Sequence, residues 1–410
     1  MNEPIRYKSD LIQNRSSFKP YTRRLIEIAD NYGGDRLIFC NTRNFNAFFN
    51  FLMQQRILSF EKLNGLFTDR YSEENELTGF CLSRLVYTFI QQFNRKNARI
   101  SENIVLNRLL EENNIERVNY RTTALSNSNV YFEEFTIYPN NTPAVMIFYL
   151  IIPEGNGFKI KIIFSIRGTQ TLDDIKSLMK PQKKDTYLFN TDEILQINKN
   201  LNRQKRSGKK IFASNNLGNP MIHKGFRGYF RKIDKILLRK SLKFINIFSK
   251  KYKNYLGSEF CFIGHSLGGV LSVLNSLNSL ISGYKTYIYS YCSPRIGGEK
   301  FNYFLYSQLL RNPYSKYFSF YNKDDTVNNL PPKQFGYLNL SEFLSENGLS
   351  LNNYEELNKQ ENNVRIIEYF LQKNLQSALG IYYKKVLHSL FVYKVLGSNN
   401  RMPRYFVLHS

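Results

Sequence analysis

The 410-residue sequence has no long hydrophobic run, only four cysteines and only four histidines. Its longest apolar stretch, Ala144 to Ile152, has nine residues, where a membrane-spanning helix needs ~20. The opening Met1-Asn2-Glu3-Pro4 leads into polar, charged chain with no apolar core. No secretory signal is expected from that pattern, and the expected place is intracellular, in the cytoplasm or peripherally at a membrane. Cys40, Cys81, Cys261 and Cys292 are scattered, with no C-x-x-C pair. That spacing fits a reducing compartment and buried free thiols better than disulfides or a cysteine zinc site.

Acidic residues are scarce in one place. The chain carries 57 Lys and Arg against 33 Asp and Glu, a net charge of +24. Residues 1–125 contribute +4, whereas residues 176–253 hold 21 basic and 4 acidic side chains, a net of +17. A codon bias toward lysine raises a total but does not concentrate it in one segment.

Residues 1–125 read as a mainly helical region of unassigned role. Phe45 to Leu58, Cys81 to Phe93 and Ile104 to Leu110 space apolar residues three and four apart. The texture changes near Asn129, so a second domain is expected over 126–410. Val145 to Ile152 is a β-type run, Pro153 to Gly157 is turn chemistry, and Lys159 to Ile166 alternates before becoming wholly apolar. These predict a hairpin entering a sheet. Further strands are predicted at Phe260 to Ile263, Tyr287 to Tyr291 and Tyr317 to Tyr321, with helices between them. That alternation predicts an α/β fold with a mostly parallel central sheet flanked by helices. Residues 177–219 and 339–374 read as insertions, the latter as short helices.

What is present is a serine between glycines. Phe260-Cys261-Phe262-Ile263 runs into Gly264-His265-Ser266-Leu267-Gly268-Gly269, and Val270, Val273, Leu274, Leu277 and Leu280 then mark one helical face. Strand, sharp turn and helix form the context of a nucleophile elbow, which lifts a serine hydroxyl clear of the sheet. The helix start leaves the Leu267 N–H available to an oxyanion. A serine needs a base and an orienting carboxylate. His265 adjoins Ser266 and would point away from it, and His223 precedes the strand. Both read as structural. The order serine, acid, histidine leaves His388 or His409 as the base. Asp324 and Asp325 lie just past the predicted strand Tyr317 to Tyr321, at the sheet edge where catalytic groups gather.

Five ordered blocks give a family resemblance: "IIFSIRGTQ" at 162–170, "IHKGFRGYF" at 222–230, "GHSLGG" at 264–269, "YSYCSPRIGGEKF" at 289–301 and "DDTVNNLPP" at 324–332. Over about 145–400 the sequence resembles the class 3, fungal-type lipases of the α/β-hydrolase superfamily. The resemblance implies an α/β-hydrolase fold and a serine hydrolase that cleaves carboxylic esters of lipids, of the triacylglycerol lipase or phospholipase type. It implies Ser266 as nucleophile, Asp325 as triad acid, and His388, in "LHSLFVY" at 387–393, as base. Thr169 and Leu267 would form the oxyanion hole. No metal or organic cofactor is implied. Residues 177–219 stand where the family carries its lid. The sequence departs from the family in Tyr291 before Cys292-Ser293-Pro294, in Ile175 after Asp174, and in Asn328 after Val327.

The basic segment 176–253 has two readings, a solvated helix face or peripheral contact with an anionic membrane. No nucleic-acid recognition fold is visible, so a nucleic-acid partner is not expected. The rival to the hydrolase reading is a catalytically inactive hydrolase-fold protein that binds anionic membrane surfaces. Acyl transfer on the same triad is a further alternative.

Overall fold

In the computed structural model the described residues are 53, 56–86, 99–120, 128–137, 142–168, 185–189, 219–251, 254–321, 327–358, 391–394 and 405–408. Residues 52–359 form one compact unit, and residues 1–51 with 360–410 form a second.

The first unit begins with helices α1 (Phe60–Gly65), α2 (Glu73–Leu85) and α3 (Arg99–Glu112). Strands β1 (Ile115–Arg117), β2 (Val130–Ile137), β3 (Thr142–Glu154) and β4 (Gly157–Ile166) follow. A small pair, β5 (Asp185–Tyr187) with β6 (Met221–His223), leads into the long helix α4 (Lys224–Lys251). Then come β7 (Tyr255–His265), α5 (Leu267–Ile281), β8 (Thr286–Tyr291), α6 (Glu299–Arg311), β9 (Lys316–Tyr321), α7 (Leu340–Glu346) and β10 (Tyr354–Asn358).

Eight strands make one sheet in the order β1-β2-β3-β4-β7-β8-β9-β10. The expected hairpin is β3 with β4, antiparallel from Val145↔Ile166 to Glu154↔Gly157. From β4 onward every neighbouring pair is parallel. The buried end of β4, Ile162 to Ile166, and the buried run Cys261 to His265 fit strands covered on both faces.

One face carries α4, α5 and α6. Val270, Val273, Leu274, Leu277 and Leu280 of α5 are all buried there, as their spacing predicted. The predicted face of α4 is buried too: Phe226, Phe230, Ile233, Leu237, Phe244 and Phe248. Phe244 stacks on Tyr149 of β3 at 3.8 Å and 10°. Packing of this amphipathic face, rather than propensity, holds so basic a helix in place.

The other face is covered by α1 and α2. Strand β8 reads Thr-Tyr-Ile-Tyr-Ser-Tyr, so its period of two puts three tyrosines on that side. The Tyr289 hydroxyl donates to the Leu66 carbonyl at 3.0 Å and the Tyr291 hydroxyl to the Glu76 carbonyl at 2.8 Å. Tyr287 meets Phe67 edge-on at 5.3 Å. Ser165 of β4 donates to the Leu82 carbonyl at 2.7 Å. Helices from before residue 126 therefore share a core with strands from after it.

Of the segment expected to be short helices, 339–374, residues 359–374 lie outside the described residues, and residues 339–358 form α7 and then β10, a parallel edge strand paired from Tyr354↔Tyr317 to Asn358↔Tyr321. Its polar sequence, Tyr-Glu-Glu-Leu-Asn, hides the strand because only one side of an edge strand is paired. Most of the expected helix at Phe45 to Leu58, the stretch 87–93, Cys40 and most of 177–219 lie outside the described residues, while residues 56–58 form a turn. Cys81, Cys261 and Cys292 are buried free thiols, and burial pushes the Cys81 and Cys261 thiols up.

In the second unit, β11 (Phe391–Lys394) pairs antiparallel with β12 (Tyr405–Leu408). Among the described residues no helix is long and apolar enough to cross a membrane.

Two substitutions on α4 test its burial pattern. Phe244→Ala should destabilise the protein by about 3–5 kcal/mol. Leu242→Ala, on the exposed face, should stay within about 0.5 kcal/mol. Urea unfolding of the full chain reads both, and equal effects would mean that the helix is rotated.

Candidate active site

Ser266 sits between the end of β7 and the first residue of α5, with φ 57° and ψ −126°. An L-residue pays ~1–3 kcal/mol to hold such a conformation, so the surroundings must enforce it. Three restraints do so. The Ser266 N–H donates to the Tyr291 carbonyl at 2.9 Å, and the Ser266 carbonyl accepts the Gly269 N–H at 2.9 Å. The helix also crosses the strand at the closest approach the chain permits. A Cβ on Gly264 would strike the Gly268 carbonyl, and one on Gly268 would strike the Ile166 carbonyl and come within 2.8 Å of the Gly168 nitrogen.

Ser266 makes no side-chain capping bond to α5, although it occupies the capping position. Its hydroxyl is not spent on the helix end, the usual use of serine there. Leu267 follows as the first residue of α5, where an N–H has no intrahelical acceptor. The approach at Gly268 sets Arg167 and Gly168, which follow β4, against this same helix start. Thr169, the other residue implied for the oxyanion hole, lies outside the described residues, as do Asp324, Asp325, His388 and His409. Ser266 and Leu267 are therefore the predicted site residues that the structure places.

His223 and His265 are buried. The His223 ring accepts the Gly225 N–H on Nδ1 at 3.2 Å and lies 5.0 Å from the Phe226 ring. It closes the start of α4. His265 is the last residue of β7, paired with Tyr291.

The segment carrying the two aspartates is gripped at both ends. On its near side the Cys292 N–H donates to the Phe320 carbonyl at 2.6 Å. On its far side the Arg295 N–H donates to the Leu330 carbonyl at 2.6 Å. The buried Arg295 guanidinium donates to the carbonyls of Asn329 and Pro331 at 2.6 and 3.2 Å. It also forks onto Glu342 of α7, at 2.9 Å to Oε2 and 2.6 Å to Oε1. Burial raises the Glu342 carboxyl, but the hydrogen bonds from Arg295 and from the Asn339 N–H outweigh it and leave the group below its ordinary value. The block "SPRIGG" was visible in the sequence. The clamp was not, because Glu342 lies 47 residues from Arg295 and carries no motif.

Among the described residues no group of His, Cys, Asp and Glu could hold a metal ion. A mixed, mostly parallel sheet with a serine on a strained strand-to-helix turn at a parallel strand's C-terminal end defines the class: an α/β-hydrolase-type fold with a nucleophile elbow. Within that class, residues 163–335 match the model of the family Lipase (class 3), so the resemblance read from the five sequence blocks holds over that segment. Among solved structures the chain is similar to lipase II from Rhizopus niveus, at 14% identity over 51% of this chain and 64% of that one, with a TM-score of 0.33. It is similar to the mono- and diacylglycerol lipase from Aspergillus oryzae, at 16% over 50% and 60%, with a TM-score of 0.34. A third similarity is to the Rhizomucor miehei lipase propeptide complex, at 18% over 52% and 55%, with a TM-score of 0.33. The chain thus spans less than two thirds of the length of these proteins.

Gly268→Ala should destabilise the fold by about 1–3 kcal/mol, since it forces a methyl group onto strand backbone. A variant that melts like the native chain would refute the close approach. Arg295→Met should cost about 3 kcal/mol by stranding Glu342. The depressed Glu342 group contributes stability in full above its ordinary value of 4.5. That contribution is lost as pH falls through the lowered folded value. Urea unfolding followed from neutral to acid pH should therefore show a shallower acid decline in Arg295→Met than in the native chain.

Proposed function

We propose that this protein is a serine hydrolase that cleaves carboxylic esters of lipids, of the triacylglycerol lipase or phospholipase type. Ser266 is its nucleophile, His388 its general base and Asp325 the carboxylate that orients the base. The observation that carries this reading is the backbone of Ser266. Strain is held at this residue by two hydrogen bonds and two glycine contacts, and a merely structural turn has no use for it. The family match over 163–335 supports a lipid ester as the substrate class.

In this mechanism the Ser266 hydroxyl attacks the ester carbonyl carbon while His388 takes its proton. The carbonyl oxygen becomes an oxyanion and is held by the N–H groups of Leu267 and Thr169. Collapse of the tetrahedral intermediate breaks the ester C–O bond, and the leaving alcohol receives the proton from the imidazolium. Water, deprotonated by His388, then attacks the acyl-enzyme. The fatty acid leaves and the Ser266 hydroxyl is restored. Asp325 keeps the imidazole in the useful tautomer and stabilises its charged form.

The test is covalent labelling of the folded chain with a fluorophosphonate, beside hydrolysis of a panel of triglyceride, phospholipid and short-chain esters. Labelling should vanish in Ser266→Ala, and a folded native chain that neither labels nor hydrolyses would exclude the enzyme. His388→Ala should lower the rate by several orders of magnitude while His409→Ala leaves it nearly intact. Asp325→Asn should cost far more than Asp324→Asn. A reversal in either pair would reassign that role to the neighbouring candidate.

A further inference from the structure

Helix α4 has a basic outer face. Lys224, Lys232, Lys235, Arg239, Lys243 and Lys250 are all exposed, at spacings that keep them on one side of the helix. No acidic residue is exposed on that side, since the one acid of the helix, Asp234, is half-buried and accepts a hydrogen bond from Asn278. In the middle of this cationic stripe stand two leucines, Leu238 at 52% and Leu242 at 47% exposure. They lie one turn apart and flank Arg239. A solvated helix face has no reason to present a leucine pair there, because the helix already buries its own apolar side in Phe226, Phe230, Phe244 and Phe248.

We infer that this face docks onto an anionic lipid surface, with Leu238 and Leu242 entering the acyl boundary and the flanking lysines and arginine facing lipid phosphate and carboxylate groups. The chemistry matches an interfacial helix: a charged border attracts the membrane and a small apolar wedge partitions into it. Among the described residues no ion pair involves Lys232, Lys235, Arg239 or Lys250, so their charge is available to an outside anion. Lys240 is different. It lies on the inner flank and is bonded to Glu133. The surface is separate from the elbow, and the inference stands whether or not the chain hydrolyses esters.

The test measures binding of the full-length Ser266→Ala chain to sedimenting vesicles of phosphatidylcholine, with and without phosphatidylserine. Binding should require phosphatidylserine and weaken as salt shortens the Debye length from ~10 Å at ~0.1 M to ~3 Å at ~1 M. The triple variant Lys232→Glu, Lys235→Glu and Arg239→Glu should bind at least about tenfold more weakly, since each basic residue near such a surface is worth about a fivefold factor. Leu238→Ser with Leu242→Ser should also weaken binding, by about tenfold. Unfolding curves identify any variant that fails to fold. In that case Lys232→Gln with Lys235→Gln replaces the triple change and Leu242→Ser alone replaces the leucine pair. Placed instead in the native chain, these changes should leave hydrolysis of a soluble short-chain ester unchanged, which keeps docking separate from chemistry. Equal binding to neutral vesicles, or binding that survives both sets of changes, would overturn the inference. So would self-association or nucleic-acid binding that the same changes abolish in a chain that ignores vesicles.

Discussion

The segment Tyr291 to Arg295 is the point on which the site depends. The Tyr291 carbonyl fixes the Ser266 N–H. The Cys292 N–H fixes the end of β9, and Arg295 fixes the backbone beyond the two aspartates. Cys292 itself takes a positive φ of 49° to turn the chain between these bonds. In the proposed reading the nucleophile and its carboxylate come from different segments of the chain, so a common mount at Tyr291 to Arg295 reduces the freedom of the flanking backbone on either side to drift apart. Positioning of this kind underlies much of the advantage of a preorganised site.

That mount needs support from below, and the helices on the second face provide it. Tyr291 belongs both to the mount, through its carbonyl, and to the second face, through its hydroxyl on α2. Burial pushes the Tyr291 hydroxyl well up, so it stays a neutral donor. Its ring stacks on Phe320, the residue whose carbonyl holds Cys292, at 4.7 Å and 9°. The α2 layer, strand β8 and the turn at the serine therefore form one continuous chain of contacts. Strain at Ser266 is offset by packing that reaches across the sheet.

The parts legible in the sequence were those that a local rule governs. The elbow was readable because a tight strand-to-helix crossing excludes side chains, and so leaves glycines at 264 and 268. The buried face of α4 was readable because its six apolar residues keep helical spacing. The hairpin was readable from Pro153 to Gly157. Parts set by contacts distant in sequence were not. Strand β10 looks polar because β9, 37 residues earlier in register, supplies its hydrogen bonds. The three tyrosines of β8 alternate like any strand, and nothing local says that Asp69, Leu66 and Glu76 accept their hydroxyls. Glu342 is an ordinary helix-start glutamate until Arg295 reaches it.

Helix α4 joins the two halves of this picture. Its buried side completes the core above β3, where Phe244 covers Tyr149. Its first turn is anchored through His223, whose N–H donates to the carbonyl of Ile296 at 3.1 Å, one residue beyond Arg295. The surface that carries the cationic stripe is thereby tied to the same stretch of backbone that mounts the serine. Basic charge on a loop would be cheap to hold, whereas the exposed lysines and arginine of α4 are borne by a 28-residue helix whose opposite side is locked into the core. Charge fixed in that way keeps its spacing when it meets a surface and loses little conformational freedom on doing so. The rigidity that serves the fold on the inner side of α4 is what makes the outer side a defined surface.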